Sequence, residues 1–219
     1  MGTSRRLFII SLASALVNKP AIAEKNARIF FCASSKHANY VLASSSDFHQ
    51  IWRTFIPYRG HGLAYSDFRI LVVGRRPSDW AFILDQFTGN VLTHLAPPKN
   101  FIFTGHVASN KSNWFLGCQS KRRSLGFIAR YSVDGELIDF FSSGGIEPHE
   151  IVVGGEFLYI ANGGRVTSPD LPRVVLNPNS VFSDLVKIRI SNSQIVNKIS
   201  FMKNLSARHL DFSKHGIVV

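Results

Sequence analysis

Histidine recurs in four short and similar motifs, and its side chain can do several kinds of chemistry. An imidazole can bind a metal ion, donate a hydrogen bond to an anion, or join two strands of the protein itself. The histidines lie 45, 43 and 60 positions apart. The motifs are Arg59-Gly60-His61-Gly62, Thr104-Gly105-His106-Val107, Glu147-Pro148-His149-Glu150 and Ala207-Arg208-His209-Leu210.

The residues beside the histidines leave three interpretations open. In the first, each imidazole bonds to a neighbouring strand and has a structural role. In the second, the histidines bind a metal ion, although Arg59 and Arg208 would repel it. In the third, arginine and histidine together hold carboxylate or phosphate groups. The candidate ligand-binding residues are Arg59, His61, Arg76, His106, His149, Glu150, Asn162, Arg208 and His209.

The spacing of the motifs predicts the elements that position them. A repeat of about 40–45 residues built from short strands is typical of a β-propeller blade. Turn glycines recur with the same period, since Gly89 and Gly135 each lie between two strand-like runs. The sequence therefore predicts an all-β, β-propeller-like fold with about four blades and the start of a fifth.

The blades are expected at residues 28–60, 61–105, 106–148 and 149–208, and the fifth begins at His209. Residues 163–184, rich in Gly, Pro, Ser and Asn, are predicted to be an inserted loop. The first strand of a propeller blade lines the central axis. Equivalent histidines are therefore expected to meet at one mouth of the central channel.

Composition limits the classes of protein to which the chain can belong. Its 219 residues are 45% apolar and 18% charged, which is typical of a globular domain, and 18 Phe favour sheet. A net charge of +11 favours anionic partners. The basic residues are scattered without the aromatic strip of an RNA-binding module, so no nucleic-acid partner is predicted.

The common catalytic motifs of hydrolases, zinc proteases and P-loop enzymes do not occur in the sequence, so the sequence does not indicate an enzyme.

Residues 1–23 have the pattern of a signal peptide. Arg5 and Arg6 precede an apolar run that is too short to span a bilayer, and Ala21-Ile22-Ala23 fits a cleavage site. The arginine pair resembles a twin-arginine signal, with an ordinary secretory signal as the alternative. The sequence predicts a periplasmic or secreted protein without a membrane span, whose propeller domain covers residues 24–219.

Cys32 and Cys118 are the two cysteines of the chain. In an oxidising compartment they could form a disulfide, or each could be buried as a small apolar residue. Neither has a second thiol at metal-binding spacing, so a cysteine-based metal site is not indicated.

A longer set of motifs resembles a known family. They are Arg59-Gly60-His61-Gly62, Gly74-Arg75-Arg76-Pro77, Gly105-His106, Gly145-Ile146-Glu147-Pro148-His149-Glu150, Ala161-Asn162-Gly163-Gly164, Thr167-Ser168-Pro169-Asp170, Leu176-Asn177 and Ser206-Ala207-Arg208-His209-Leu210. In this order they are similar to the exported bacterial β-propeller family called domain of unknown function family 1513. The resemblance covers residues 27–219 and implies a seven-bladed propeller outside the cytoplasm, often described as iron-regulated, with no established activity. It implies no catalytic residues.

The chain departs from the family pattern in two ways. Ser168 stands where the family tends to have histidine, and Cys118-Gln119-Ser120-Lys121 replaces an acidic and amide-rich run. The resemblance also implies about three further blades, so the chain looks C-terminally truncated, and an open ring could self-associate through its exposed strand edges.

The sequence predicts a binding protein rather than an enzyme. The expected partner is an anionic small molecule, a metal chelate or a protein, bound at a mouth lined by His and Arg and linked to iron acquisition. A metal- or cofactor-assisted enzyme at the same mouth and a truncated remnant with little function are the alternatives. The cofactor, if any, is not identified by the sequence.

Overall fold

The computed structural model describes residues 28–122, 124–168, 171, 174–213 and 216–218. Within these residues the regular structure is seventeen β-strands and no helix, which confirms the predicted all-β fold. The predicted signal peptide, residues 1–23, lies outside the described residues. In the described part of the chain, no helix has the length and apolar character needed to cross a bilayer.

The strands form four antiparallel sheets and a two-stranded ribbon, each built from strands that follow one another in the sequence. The first sheet contains β1 (Arg28–Ser34), β2 (Asn39–Ser45) and β3 (Gln50–Ile56). The second contains β4 (Gly60–Ser66), β5 (Arg69–Gly74), β6 (Ala81–Asp85) and β7 (Val91–Leu95). The third contains β8 (Phe101–Ser109), β9 (Asn113–Ser120), β10 (Gly126–Ser132) and β11 (Leu137–Ser142). The fourth contains β12 (Pro148–Gly154), β13 (Phe157–Asn162), β14 (Asp184–Arg189) and β15 (Gln194–Ser200), and the ribbon contains β16 (Asp211–Ser213) and β17 (Gly216–Val218).

Tight turns join the strands of each sheet into a meander. Gly89 and Gly135 lie in the turns that precede the last strand of the second and third sheets, with φ of 74° and 100°. Glycine adopts this left-handed conformation without a steric penalty. In the fourth sheet the predicted insertion is the long connection between β13 and β14, residues 163–183, in which Thr167 and Val175 form an isolated bridge.

The first sheet has one strand fewer than the next three in the described residues. β1 contacts β4 of the following sheet, and β5 likewise contacts β8 of the sheet that follows it. β1 therefore corresponds to the second strand of a blade. The histidine motifs occupy first strands. Because the described part of the first sheet begins with a second strand, it has no histidine motif of its own.

Apolar side chains fill the spaces between consecutive sheets. Leu71, Phe103 and Trp114 are fully buried between the second and third sheets. Phe115 and Ile160 are buried in the same way between the third and fourth sheets. Removing this apolar surface from water is the main source of stability in such a stack of sheets. Because the sheets pack face to face, the first strands β4, β8 and β12 lie next to one another.

The two cysteines are free and belong to different apolar clusters. Burial raises the pKa of the Cys32 thiol to about 12, although the charge of Arg59 opposes the shift. Burial also raises the pKa of the Cys118 thiol far above its usual value. The structure thus shows a half-buried Cys32 and a buried Cys118 rather than a disulfide.

Candidate functional site

Irregular strand pairing at the start of β4, β8 and β12 positions three of the motif histidines. In β4 the pairing with the next strand skips His61, and in β12 it skips His149. In β8 the irregular part is residues 104–106, which includes His106. A β-bulge redirects the side chain of the extra residue out of the alternating strand pattern. The three imidazoles therefore lie at the same end of the three inner strands.

Glycines allow these inner strands to approach closely. A Cβ atom added at Gly62 would lie 2.5 Å from the carbonyl oxygen of Gly105 in the neighbouring blade. Gly105 itself has φ of 96°, and a Cβ there would lie 3.0 Å from Cδ2 of His61. A side chain at either position would push the two blades apart, so the glycines of the Gly-His motif set the distance between neighbouring histidines.

The histidine cluster consists of His61, His106, His149 and His209. The Nε2 atoms of His61 and His106 are 3.3 Å apart. The ring centroids of His106 and His149 are 4.3 Å apart, and those of His149 and His209 are 5.5 Å apart. The structure thus brings together residues that are up to 148 positions apart in the sequence, in a row that crosses successive blades.

A fully buried carboxylate, that of Glu147, lies beside the histidine cluster. Its Oε1 accepts a hydrogen bond from Nη1 of Arg76 and lies 3.4 Å from Nη2 of Arg208. Nδ1 of His149 is 3.6 Å from the same oxygen. The other oxygen, Oε2, accepts a hydrogen bond of 3.1 Å from the backbone N–H of Arg165. Glu147 therefore connects the loop after β5, the inserted loop and the segment before β16.

Glu147 is ionised at neutral pH because its partners outweigh the effect of burial. Burial alone would raise the pKa of this carboxyl group. The hydrogen bond with His149 and the charges of Arg76 and Arg208 lower the pKa from 4.5 to about 2. The negative charge is thus held permanently in the protein interior.

His149 is neutral at pH 7. Burial, together with the charges of His106 and Arg208, outweighs the effect of Glu147 and lowers the pKa of His149 from 6.5 to about 4. Nη1 of Arg208 lies 3.3 Å from Nδ1 and 3.2 Å from Nε2 of this ring. Because arginine can only donate, the ring nitrogen that accepts its hydrogen bond carries no proton.

His61, at the end of the row opposite His209, is also neutral. Burial is the main cause, and the nearby histidines and the charges of Arg75 and Arg59 add to it, so that the pKa of His61 falls to about 4. Its ring can accept a hydrogen bond at one nitrogen and donate from the other.

Glu150 connects two members of the histidine cluster. Its Oε2 lies 3.7 Å from Nδ1 of His106 and 3.2 Å from Nδ1 of His209. Burial would raise the pKa of Glu150, but hydrogen bonds with these histidines lower it below its usual value. Glu150 is therefore ionised as well, and its place beside the histidines agrees with the sequence-based expectation.

Arg59 has an exposed side chain. Its backbone carbonyl accepts a hydrogen bond of 2.8 Å from the N–H of Arg75, next to the histidine cluster. Its charge contributes to lowering the pKa of His61. Arg59 thus belongs to the positive surroundings of the histidine cluster.

Asn162 has a fully buried side chain that binds Ser143. Oδ1 accepts a hydrogen bond of 2.7 Å from the Ser143 hydroxyl, and Nδ2 donates one of 3.0 Å to its carbonyl oxygen. The backbone N–H groups of Gly163 and Gly164 donate to the carbonyl oxygens of Glu147 and Ile146. The Asn162-Gly163-Gly164 segment is therefore a turn bonded to the preceding loop, and these groups do not form an open anion cradle.

Sequence reasoning missed Glu147 as a site residue. A signal existed, because Glu147 precedes its histidine by two positions, as Arg59 and Thr104 precede theirs. An acidic residue at the place where another blade has arginine indicates that the two blades contribute opposite charges to one mouth.

The arrangement supplies hydrogen-bond donors and guanidinium groups in one place. Within the described ranges, no group of three or more His, Cys, Asp and Glu side chains is arranged to hold a metal ion. Guanidinium groups and imidazole N–H groups are the donors that proteins use for carboxylate and phosphate. The chemistry that this geometry supports is the binding of oxyanions.

One family model matches most of the chain. The family model described as a protein of unknown function (DUF1513) matches residues 54–219. The chain belongs to this family. The match contains all four histidine motifs together with Glu147, and it confirms the resemblance predicted from the motifs. No curated protein has significant similarity to the sequence.

Solved structures with a similar fold are β-propeller proteins. A europium-containing methanol dehydrogenase is 12% identical, with a TM-score of 0.59 over 84% of this chain and 42% of that chain. A quinohemoprotein alcohol dehydrogenase from Comamonas testosteroni is 13% identical, with a TM-score of 0.53 over 80% of this chain and 35% of that chain. This chain therefore spans less than half the length of these structures. At such identity the likeness shows the fold alone, and it confirms the predicted β-propeller.

Proposed function

We propose that the protein binds an anionic ligand at the histidine cluster. The observation that supports this proposal is an excess of positive charge around the histidine cluster, in which His61 and His149 are neutral. Two carboxylates, Glu147 and Glu150, contact the histidine cluster among the described residues. The charges of Arg59 and Arg75 act on His61, and those of Arg76 and Arg208 act on Glu147. The charge of Arg165 acts on Arg208.

Partly buried charges of the same sign repel one another more strongly than they would in water. The pKa of Arg208 is lowered, first by burial and then by the charges of Arg165 and Arg76, although Glu147 opposes the shift. An anion placed among these groups would relieve the repulsion, and each guanidinium could hold it through two parallel hydrogen bonds. Neutral imidazoles would add N–H donors without adding charge.

The ligand class that fits is a small molecule with carboxylate or phosphate groups. An anionic metal chelate such as ferric citrate belongs to this class and agrees with the link to iron that the family resemblance implies. We place the binding outside the cytoplasm because residues 1–23 read as an export signal. An acidic segment of a protein partner presents the same carboxylate chemistry.

The proposal can be tested by calorimetric titration of the purified chain with phosphate, citrate and ferric citrate at matched ionic strength. We expect binding by at least one of these anions and a rise in melting temperature that chloride does not produce. Arg59→Gln removes one of the surrounding charges from an exposed side chain and should weaken affinity by about threefold.

The matched control is Arg189→Gln, because Arg189 pairs with exposed Glu156 at 2.8 Å, beyond the end of β12 that is opposite His149. This variant should bind as the unaltered protein does. The proposal is wrong if none of the anions binds, or if Arg189→Gln weakens binding as much as Arg59→Gln. Stabilisation by an acidic peptide without binding of small anions would favour a protein partner instead.

A further inference from the structure

We propose that Arg208 is the residue that captures the oxyanion, and that it exchanges His149 for the ligand, so that His149 takes up a proton as the ligand binds. This inference rests on the proposed anion binding. It adds to it the identity of the capturing side chain and a coupled proton.

The first step is the balance of charge at Glu147. This carboxylate carries one negative charge, while two guanidinium groups, those of Arg76 and Arg208, face the same oxygen. Both guanidinium groups donate a hydrogen bond to Oε1, and that of Arg208 is 3.4 Å long. Two positive charges therefore share one carboxylate, which leaves one positive charge in excess.

The second step is access. The side chain of Arg208 is 28% exposed and that of Arg76 is 19% exposed, while Glu147 is fully buried. Of the two guanidinium groups that share Glu147, Arg208 is thus the one that a ligand reaches more easily. Its position one residue before His209 places it directly beside the exposed end of the histidine cluster.

The third step is the weakness of the bond that Arg208 makes to His149. Nη1 lies 3.2 Å from Nε2 and 3.3 Å from Nδ1 of a neutral ring. An anionic oxygen adds attraction between opposite charges to the hydrogen bond from a guanidinium, whereas a neutral ring nitrogen does not. A carboxylate, phosphate or sulfate oxygen is therefore a better acceptor for this guanidinium than the imidazole nitrogen, and it would replace it.

The proton follows from the surroundings of His149. Neighbouring elements contribute both signs of charge and several titratable rings to these surroundings. From the inner strands, the groups that face or act on His149 are His61 of β4, His106 of β8 and Glu150 of β12, which acts through His106 and His209. From the loops, they are Glu147 before β12 and Arg76 after β5, which acts through Glu147. From the segment before β16, they are Arg208 and His209. When Arg208 turns to a ligand, one ring nitrogen of His149 loses its donor and gains a nearby negative charge.

Both changes favour the protonated imidazole. The pKa of His149 should then rise above the value of about 4 that it has in the free protein, although burial, the main cause of the low value, is unchanged. At pH values between the pKa of the free protein and that of the complex, His149 takes up a proton when the ligand binds. Anion binding should therefore strengthen as the pH falls through this range and should show little pH dependence above it.

Sulfate is the suitable probe because its own charge is constant across this range. Calorimetric titration of the full chain with sulfate at pH 5.5, in MES and in bis-tris buffers, measures the protons taken up, since these buffers differ in ionisation enthalpy. We expect uptake of up to one proton per sulfate at pH 5.5 and much less at pH 7.5. His149→Gln should bind sulfate without proton uptake.

Arg208→Gln should weaken sulfate binding about tenfold or more, because one charge-assisted contact is lost. Arg208→Lys keeps the charge but cannot form two parallel hydrogen bonds to one oxyanion. Its affinity for sulfate should lie between that of the unaltered protein and that of Arg208→Gln. Arg189→Gln is again the matched control. Melting curves check that each variant is folded, and the proton measurement on the unaltered protein does not depend on any variant.

The inference is overturned if sulfate binds the unaltered protein without proton uptake at pH 5.5, or if folded Arg208→Gln binds as tightly as the unaltered protein. Both outcomes would leave the proposed anion binding intact. If sulfate, phosphate and citrate all fail to bind, the proposed function fails and this inference fails with it.

Discussion

Replacing Glu147 with glutamine tests how much the buried charge network contributes to stability. Glutamine has nearly the same shape as glutamate but leaves Arg76 and Arg208 without their counter-ion. The pKa of Glu147 falls from 4.5 to about 2 on folding, and a shift of this size corresponds to about 3 kcal/mol of stability at pH 7. We therefore expect Glu147→Gln to lower the free energy of unfolding by about 3 kcal/mol at pH 7.

The pH dependence gives the sign of the effect. Because the pKa is lower in the folded protein, the contribution of the carboxylate is complete above the unfolded value of 4.5 and is lost as the pH falls towards 2. Urea unfolding at pH 7, 4 and 3 should show that the difference between the two proteins shrinks to about half by pH 3.

The matched control is Glu156→Gln, which removes an exposed partner of Arg189 and should cost less than about 1 kcal/mol. The reasoning is refuted if Glu147→Gln costs less than about 1 kcal/mol at pH 7, or if its cost is the same at pH 7 and pH 3.

Three further predictions follow from the same contacts. Gly62→Ala should lower the free energy of unfolding by about 1–3 kcal/mol in urea titrations, because its Cβ would lie 2.5 Å from the carbonyl oxygen of Gly105; an unchanged midpoint would contradict the close approach of the two blades. Asn162→Ala should cost about 1–3 kcal/mol by leaving the Ser143 hydroxyl and carbonyl without partners, yet leave phosphate affinity unchanged in calorimetry; weaker binding would show that the turn contacts the ligand. Glu147→Gln, although less stable, should bind phosphate more tightly at pH 7 because a negative charge is removed, and weaker binding by the folded variant would argue against the charge argument.

The repeat could be predicted from the sequence because a propeller blade leaves two periodic signals. The histidine motifs mark first strands. Gly89 and Gly135 mark the last turn of a blade, where the positive φ of the backbone favours glycine. The structure places β4, β8 and β12 at these motifs. The position of the described strands of the first sheet within a blade could not be predicted in this way. β1 corresponds to a second strand, and it carries no histidine motif that would mark its place in a blade.

The repeat predicts the histidine cluster, and it marks the position of Glu147 but not the partners of its carboxylate, for one physical reason. Equivalent positions of successive blades become neighbours, so a periodic residue such as His106 reveals its partners by spacing alone. Glu147 contacts Arg76 and Arg208, which lie 71 and 61 positions away, and these separations follow no repeat. They depend on how a turn and two loops fold beside the histidine cluster, and loops are placed by packing rather than by period.

The structural and the anion-binding interpretations of the motifs are therefore compatible. Gly62 and Gly105 set the distance between blades, and Arg76 with Glu147 joins the second blade to the fourth. These groups already have partners, so their role is to hold the inner strands together. Arg208 shares this carboxylate with Arg76, and its second partner is only a neutral imidazole. A network that fixes the blades thus leaves one guanidinium in excess at the mouth, and that excess is what an anion would recognise.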